Sequence, residues 1–140
     1  MCMSAEEYLS QAYKLNEQIK DKQERIASLN ELRDCIGSID YSKDKVQTSQ
    51  QADALFARQI LKLLELEEEL KQSLIRLCEL KVEIGHAVDA VENVNHRLVL
   101  SKKYILMKTM EQIAEDMGYS VQHIYRIHEK ALENFIIPKT

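Results

Sequence analysis

Apolar residues recur three and four apart over the first part of the chain, at Tyr8, Ala12, Leu15, Ile19, Ile26, Leu29, Leu32 and Ile36. This spacing lines one face of a helix, with Lys22 as the single polar intrusion. Ser4-Ala5-Glu6-Glu7 supplies a capping box at its start: the serine oxygen takes an orphan backbone N–H and Glu7 reaches back. Gly37 suits the left-handed position that ends a helix. Residues 37–49 are polar, with Gly, Ser and Asp clustered, and are expected to form a loop. Asp40 and Asp44 lie in it, but the ligand order and the glycine of an EF-hand are missing, so a plain connector is expected.

Thr48-Ser49-Gln50-Gln51 is a second capping box, expected to open the longest helix. From Phe56 the spacing runs Ile60, Leu63, Glu67, Leu70, Leu74, Leu77, Lys81, Ile84, Val88, Val91, which is coiled-coil periodicity. A second partial stripe, Leu61, Leu64, Ile75, Cys78 and Val82, widens the apolar face. One antiparallel neighbour, the first helix, would leave part of that face wet. Self-association is therefore expected, and a homodimer is the simplest closed solution. The acidic run Glu65, Glu67, Glu68, Glu69 sits beside Lys62 and Lys71, so helix-surface pairing explains it better than a metal or acid–base site. Gly85 falls inside the pattern as a candidate kink, and the helix ends either before or after Asn93-Val94-Asn95.

Composition narrows the fold to all-α. The 140 residues include three glycines and one proline, too few for the turns of a many-stranded sheet. Ala, Glu, Lys, Leu and Arg fill 62 positions, as in long helices. The glycines should then mark where the chain turns. Cys2, Cys35 and Cys78 have neither CxxC nor Cys/His spacing, and free thiols in a reducing cytoplasm are expected. No apolar run approaches the length of a membrane span, and no signal peptide is expected. No Ser/His/Asp set, Gly-rich phosphate loop or metal-ligand cluster is present, so neither an enzyme nor a cofactor is expected.

Residues 109–135 hold the pattern that carries function. Thr109 and Gln112 form a third capping box. Ile113, Ala114 and Met117 give a short helix one apolar side, and Gly118 stops it. Ser120 then caps a helix whose inner face is Ile124, Ile127, Ala131 and Leu132. A small residue at 114, where the second helix crosses, and a glycine four later for the tight turn are the spacing of a helix-turn-helix. The helix after Ser120 would then be the recognition helix, with Gln122, His123, Tyr125, Arg126, Glu129 and Lys130 on its first turn and outer face. In a major groove, Gln can read adenine and Arg guanine through paired hydrogen bonds. Ser120 and the helix N-terminus suit a phosphate oxygen, and Lys102, Lys103 and Lys108 would meet the DNA backbone. His128 is expected to be a surface histidine without a special role. Charge adds modest support: residues 1–94 carry 12 basic against 18 acidic side chains, residues 95–140 carry 7 against 5.

Val99–Leu132 resembles region 4 of sigma-70-type transcription factors, in the approach helix ending Lys103-Tyr104-Ile105, in Thr109–Ser120, and in the closing Lys130-Ala131-Leu132. With Glu7–Ala12 and Leu66–Ile84 added, nearly the whole chain resembles the phage- and prophage-encoded sigma-region-4-like proteins of Gram-positive bacteria. The resemblance implies a phage transcriptional regulator that binds double-stranded DNA, and region 4 can also grip RNA polymerase. Two domains are expected: 1–94, an antiparallel coiled-coil hairpin for dimerisation, and 95–140, a sigma-region-4-like helix-turn-helix. The competing expectation is an adaptor whose helix-turn-helix binds protein, for example RNA polymerase, and not DNA.

Overall fold

A computed structural model of the chain describes residues 3–37 and 46–138, with backbone alone for residues 36–37 and 46–52. Every regular element among the described residues is helical. In chain order these are α1 (Ala5–Leu9), α2 (Gln11–Gly37), α3 (Val46–Asp89), α4 (Val94–Leu100), a π-helical turn (Ser101–Ile105), α5 (Met110–Met117) and α6 (Val121–Asn134). The expected loop residues Asp40 and Asp44 lie outside the described residues, as does Cys2. No described helix is long and apolar enough to cross a membrane.

The chain forms two compact units, Met1–Asn16 with Arg76–Thr140, and Glu17–Ile75. The N-terminal residues belong with the C-terminal helices because α1 is apolar on one side. Tyr8, Leu9 and Ala12 are buried, and the Tyr8 ring lies 6.0 Å from that of Phe135, just beyond α6. The capping box forms as its spacing requires: Ser4 Oγ accepts from the Glu7 N–H, and a Glu7 carboxylate oxygen accepts from the Ser4 N–H, both at 3.1 Å. The first helix is interrupted once, at Ser10, where the sequence pattern predicts continuity.

In the same unit Leu77, Leu80, Ile84 and Val88 of α3 are buried. Gly85 does not end the helix, which continues to Asp89. A Cβ at Gly85 would meet Ile105 Cδ1 at 3.8 Å, an ordinary contact, so the position requires no glycine for space. The chain turns at 90–92, and Asn93 caps α4, its Oδ1 accepting from the Asn95 and His96 N–H groups at 2.9 and 3.3 Å.

In the Glu17–Ile75 unit Ile19, Ile26 and Leu63 are buried. Lys22, the polar intrusion, donates to Ser73 Oγ at 3.2 Å. Leu29, Leu32 and Arg33 share a cleft with Phe56, Ile60 and Leu66. Earlier residues of α2 thus meet later residues of α3, and later residues of α2 meet earlier ones. Three expectations are corrected here. Glu67 and Leu74 point outward, while Leu66 and Ser73 take the half-buried places. Leu29 and Leu32 are exposed although they fit the helical stripe. The helix starts at Val46, ahead of the Thr48 box that was to open it.

Candidate nucleic-acid interface

Thr109 opens α5 with a complete capping box: its Oγ1 accepts from the Gln112 N–H at 3.2 Å, and Gln112 Oε1 accepts from the Thr109 N–H at 2.9 Å. α5 ends at Gly118, whose φ of 71° and ψ of 30° lie in the left-handed region. The Tyr119 N–H then donates to the Ala114 carbonyl at 3.0 Å, closing the helix end. A Cβ at Gly118 would find nothing within 4 Å. The penalty of another residue there is therefore conformational, about 1–2 kcal/mol. Ser120 caps α6 at once, its Oγ accepting from the His123 N–H at 3.1 Å.

This three-residue connection makes α6 cross α5, and the apolar faces meet there. Val99, Met110, Ile113, Ala114, Ile124 and Ile127 form one buried cluster, with Met117 and Val121 packed against it. Ile113 and Ile124 are wholly buried. With Ile124, Ile127 and Ala131 inward, Gln122, Arg126 and Lys130 are exposed on the opposite side of α6. They follow at intervals of four, a single row along the helix. Glu129 and Glu133 are exposed on that side too, so the acids and bases of the outer face balance.

The remaining expected site residues are placed differently. Ser120 is exposed, its Oγ engaged by the cap of α6. His123 is exposed and meets the Tyr119 ring edge-on at 4.8 Å. Tyr125 lies to one side of the row, lining a cleft of about 350 Å³ with Glu6, Tyr13, Lys103, Tyr104 and His128. Lys103 is half-buried at that cleft. Lys102 and Lys108 both reach Asp116 of α5, at 3.5 and 2.5 Å. The hydrogen bond from Lys108, followed by the charges of both lysines, holds the Asp116 carboxyl below the usual carboxylate range. These two cations thus share one carboxylate at the approach to α5.

The lysines reach α5 because the chain approaches it through unusual backbone. The π-helical turn closes with the Leu106 N–H on the Ser101 carbonyl at 3.0 Å, and Met107 then adopts a left-handed φ of 56°. The turn buries Tyr104, whose hydroxyl shares a 2.6 Å hydrogen bond with His128 Nε2. The two rings stack at 5.6 Å. His128 is therefore half-buried and partnered, contrary to the expectation of a plain surface histidine. Asp116 and the Tyr104–His128 pair escaped the sequence reading because their partners stand 8 to 24 residues away, joined only by the fold.

Burial lowers the His128 pKa, with Lys103 adding to the fall and Glu6 and Glu129 opposing it; burial, then Glu6, pushes that of Tyr104 up to about 12. The unfolded chain therefore takes up a proton at His128 that the folded chain resists. Stability should decline as pH falls below about 6.5 and level off below the folded pKa. The thermal midpoint is expected to fall between pH 7.5 and 5.5, and His128→Gln should remove part of that fall. Identical pH profiles for parent and variant would contradict this account.

One family model, described as "Protein of unknown function (DUF1492)", matches residues 35–135. The chain belongs to this family. The matched segment of this DUF1492 protein takes in α3 and everything through α6, so the paired helices at Gly118 and the long helix before them both lie within it. No curated protein and no solved structure matches the chain.

Proposed function

We propose that this DUF1492 protein is a non-enzymatic, cytoplasmic transcription regulator of phage type. It binds double-stranded DNA through a sigma-70 region 4-like helix-turn-helix and dimerises through the hairpin of α2 and α3. The observation that carries the reading is the α5–α6 arrangement: a left-handed Gly118, a Ser120-capped α6 locked by Ile124 and Ile127, and a projecting row of Gln122, Arg126 and Lys130. A helix held this way by its inner face leaves its N-terminal turn and outer face free to enter a major groove. Gln122 and Arg126 have the side chains that form paired hydrogen bonds with adenine and guanine.

Salt dependence of binding to duplex DNA tests the proposal. With Lys102 and Lys108 paired to Asp116 and Arg126 assigned to a base edge, the cations counted for phosphates near the row are Lys103 and Lys130. A slope of log K against log salt of about −1.8 per helix-turn-helix is then expected, shallower than four such cations would give. A second reading has support in the same ion pairs and in the balanced outer face of α6. On it, the helix-turn-helix grips a protein, and RNA polymerase is the partner the sigma-like pattern favours. Capture of polymerase subunits with no duplex binding at low salt would select that reading and overturn the first.

A further inference from the structure

The side of α3 that carries Leu61, Leu64 and Ile75 is exposed, at 60%, 54% and 45%. Glu68 and Lys71 fill the two intervening places of the same stripe and are exposed as well. The alternation of threes and fours continues along the helix to Cys78 and Val82, both exposed. A heptad stripe of this length, open to water while Leu63 and Leu77 of the same helix are buried, has the form of a coiled-coil seam awaiting its partner.

The order of residues identifies that partner. About a point between Glu69 and Leu70 the stripe is complementary to itself: Glu68 matches Lys71, Leu64 matches Ile75, Leu61 matches Cys78, and Ala57 matches Val82. Two copies of α3 laid antiparallel about a two-fold axis at that point place apolar side chains against apolar ones. Each Glu68 then faces Lys71 of the second copy, twice over, as a two-fold interface requires. The flanks agree, since Arg58 falls opposite Glu79 of the second copy and Glu65 opposite Gln72. A parallel pairing in register would set Glu68 against Glu68 and Lys71 against Lys71, a repulsive arrangement. Polar residues inside a seam serve to fix register and orientation in this way. We infer that residues 57–82 of α3 form an antiparallel homodimer interface whose occupant is the same stripe of a second chain. The inference rests on the dimeric reading above and gives it a geometry.

Disulfide cross-linking distinguishes the geometries. In full-length protein carrying Cys2→Ser and Cys35→Ser, Cys78 is the one thiol. The antiparallel seam separates the two Cys78 residues by about 26 Å at 1.5 Å per residue, beyond disulfide reach. Adding Leu61→Cys brings a thiol opposite Cys78 of the second copy. Mild oxidation at micromolar concentration is expected to link the Leu61→Cys protein into dimers and to leave its parent unlinked. Linkage of the parent through Cys78 would mean a parallel seam and overturn the inference, as would the absence of linkage in both. Charge exchange gives an independent readout by sedimentation. Glu68→Lys should weaken the dimer about tenfold or more, and adding Lys71→Glu should restore it. Equal dimer affinity for the single variant and the parent would overturn the seam. Gel shifts on the same preparations separate this inference from the DNA reading. A helical monomer that still binds duplex overturns the seam alone, and a cross-linked dimer that binds none overturns the DNA reading alone.

Discussion

Replacing Ile124 with alanine should cost about 2–5 kcal/mol, the range for emptying a fully buried aliphatic site. Ile124 is 0% exposed and stands where α6 crosses α5, against Val99, Ile113 and Ala114. Both helices are short, eight and fourteen residues, and such helices are marginal without tertiary packing. The cavity would therefore loosen the crossing itself. The thermal transition of the Met1–Asn16 and Arg76–Thr140 unit is expected to fall by roughly 8–40 °C. Amides of α5 and α6 should lose hydrogen-exchange protection by a matching factor, while those of α2 keep theirs. Ile136 is 84% exposed, and Ile136→Ala should stay within about 0.5 kcal/mol of the parent, which controls for loss of an isoleucine as such. A loss below about 1 kcal/mol at Ile124 would show that the crossing is not held by this side chain.

The crossing was legible in the sequence because every instruction for it is local. Thr109 and Gln112, Gly118, and Ser120 act within four residues of their partners, and Ile113, Ile124 and Ile127 follow the 3.6-residue period of a helix. The same holds for Ser4 and Glu7 at the start of α1. The long helices were legible as helices but less so in their packing. Leu66 and Leu74 are the same residue type, eight apart, and the heptad rule alone selected Leu74, which is exposed. Which of two adjacent stripes turns inward depends on what the neighbouring helix offers. Lys22 settles it at Ser73, a hydrogen bond spanning 51 residues that no local pattern signals.

Glycine proved a narrower guide than its scarcity implied. Gly118 alone among the described residues uses a glycine's positive φ. Gly85 lies within α3, and Gly37 is the last residue of α2. The turn into α4 relies on Asn93 as a cap, and the turn into α5 on Met107 in a left-handed conformation that costs a side-chain-bearing residue about 1–2 kcal/mol. That cost is offset where Tyr104 and the Lys108–Asp116 pair hold the turn from both sides. Backbone set by tertiary partners leaves no mark in composition. For the same reason the pairing of Lys102 and Lys108 with Asp116 leaves no mark in the sequence.

That pairing concentrates the expected DNA recognition on Arg126 and Gln122. Arg126→Ala should weaken binding to the best operator by about 1–3 kcal/mol, roughly 5- to 150-fold, and relax preference at a single base position in each half-site. Gln122→Ala should act similarly at a neighbouring position, since the two residues are one helical turn apart on the exposed row. Lys130→Ala should instead lower affinity for all sequences alike and reduce the salt slope by about 0.9 per head. Lys108→Ala belongs to neither class: it should destabilise the turn through Asp116 while leaving the salt slope unchanged. Binding competitions against a randomised duplex library, with helicity and dimer content measured on each variant, separate these patterns. An Arg126→Ala protein that keeps both the affinity and the base preference of the parent would remove α6 from the groove and leave the protein-binding reading in its place.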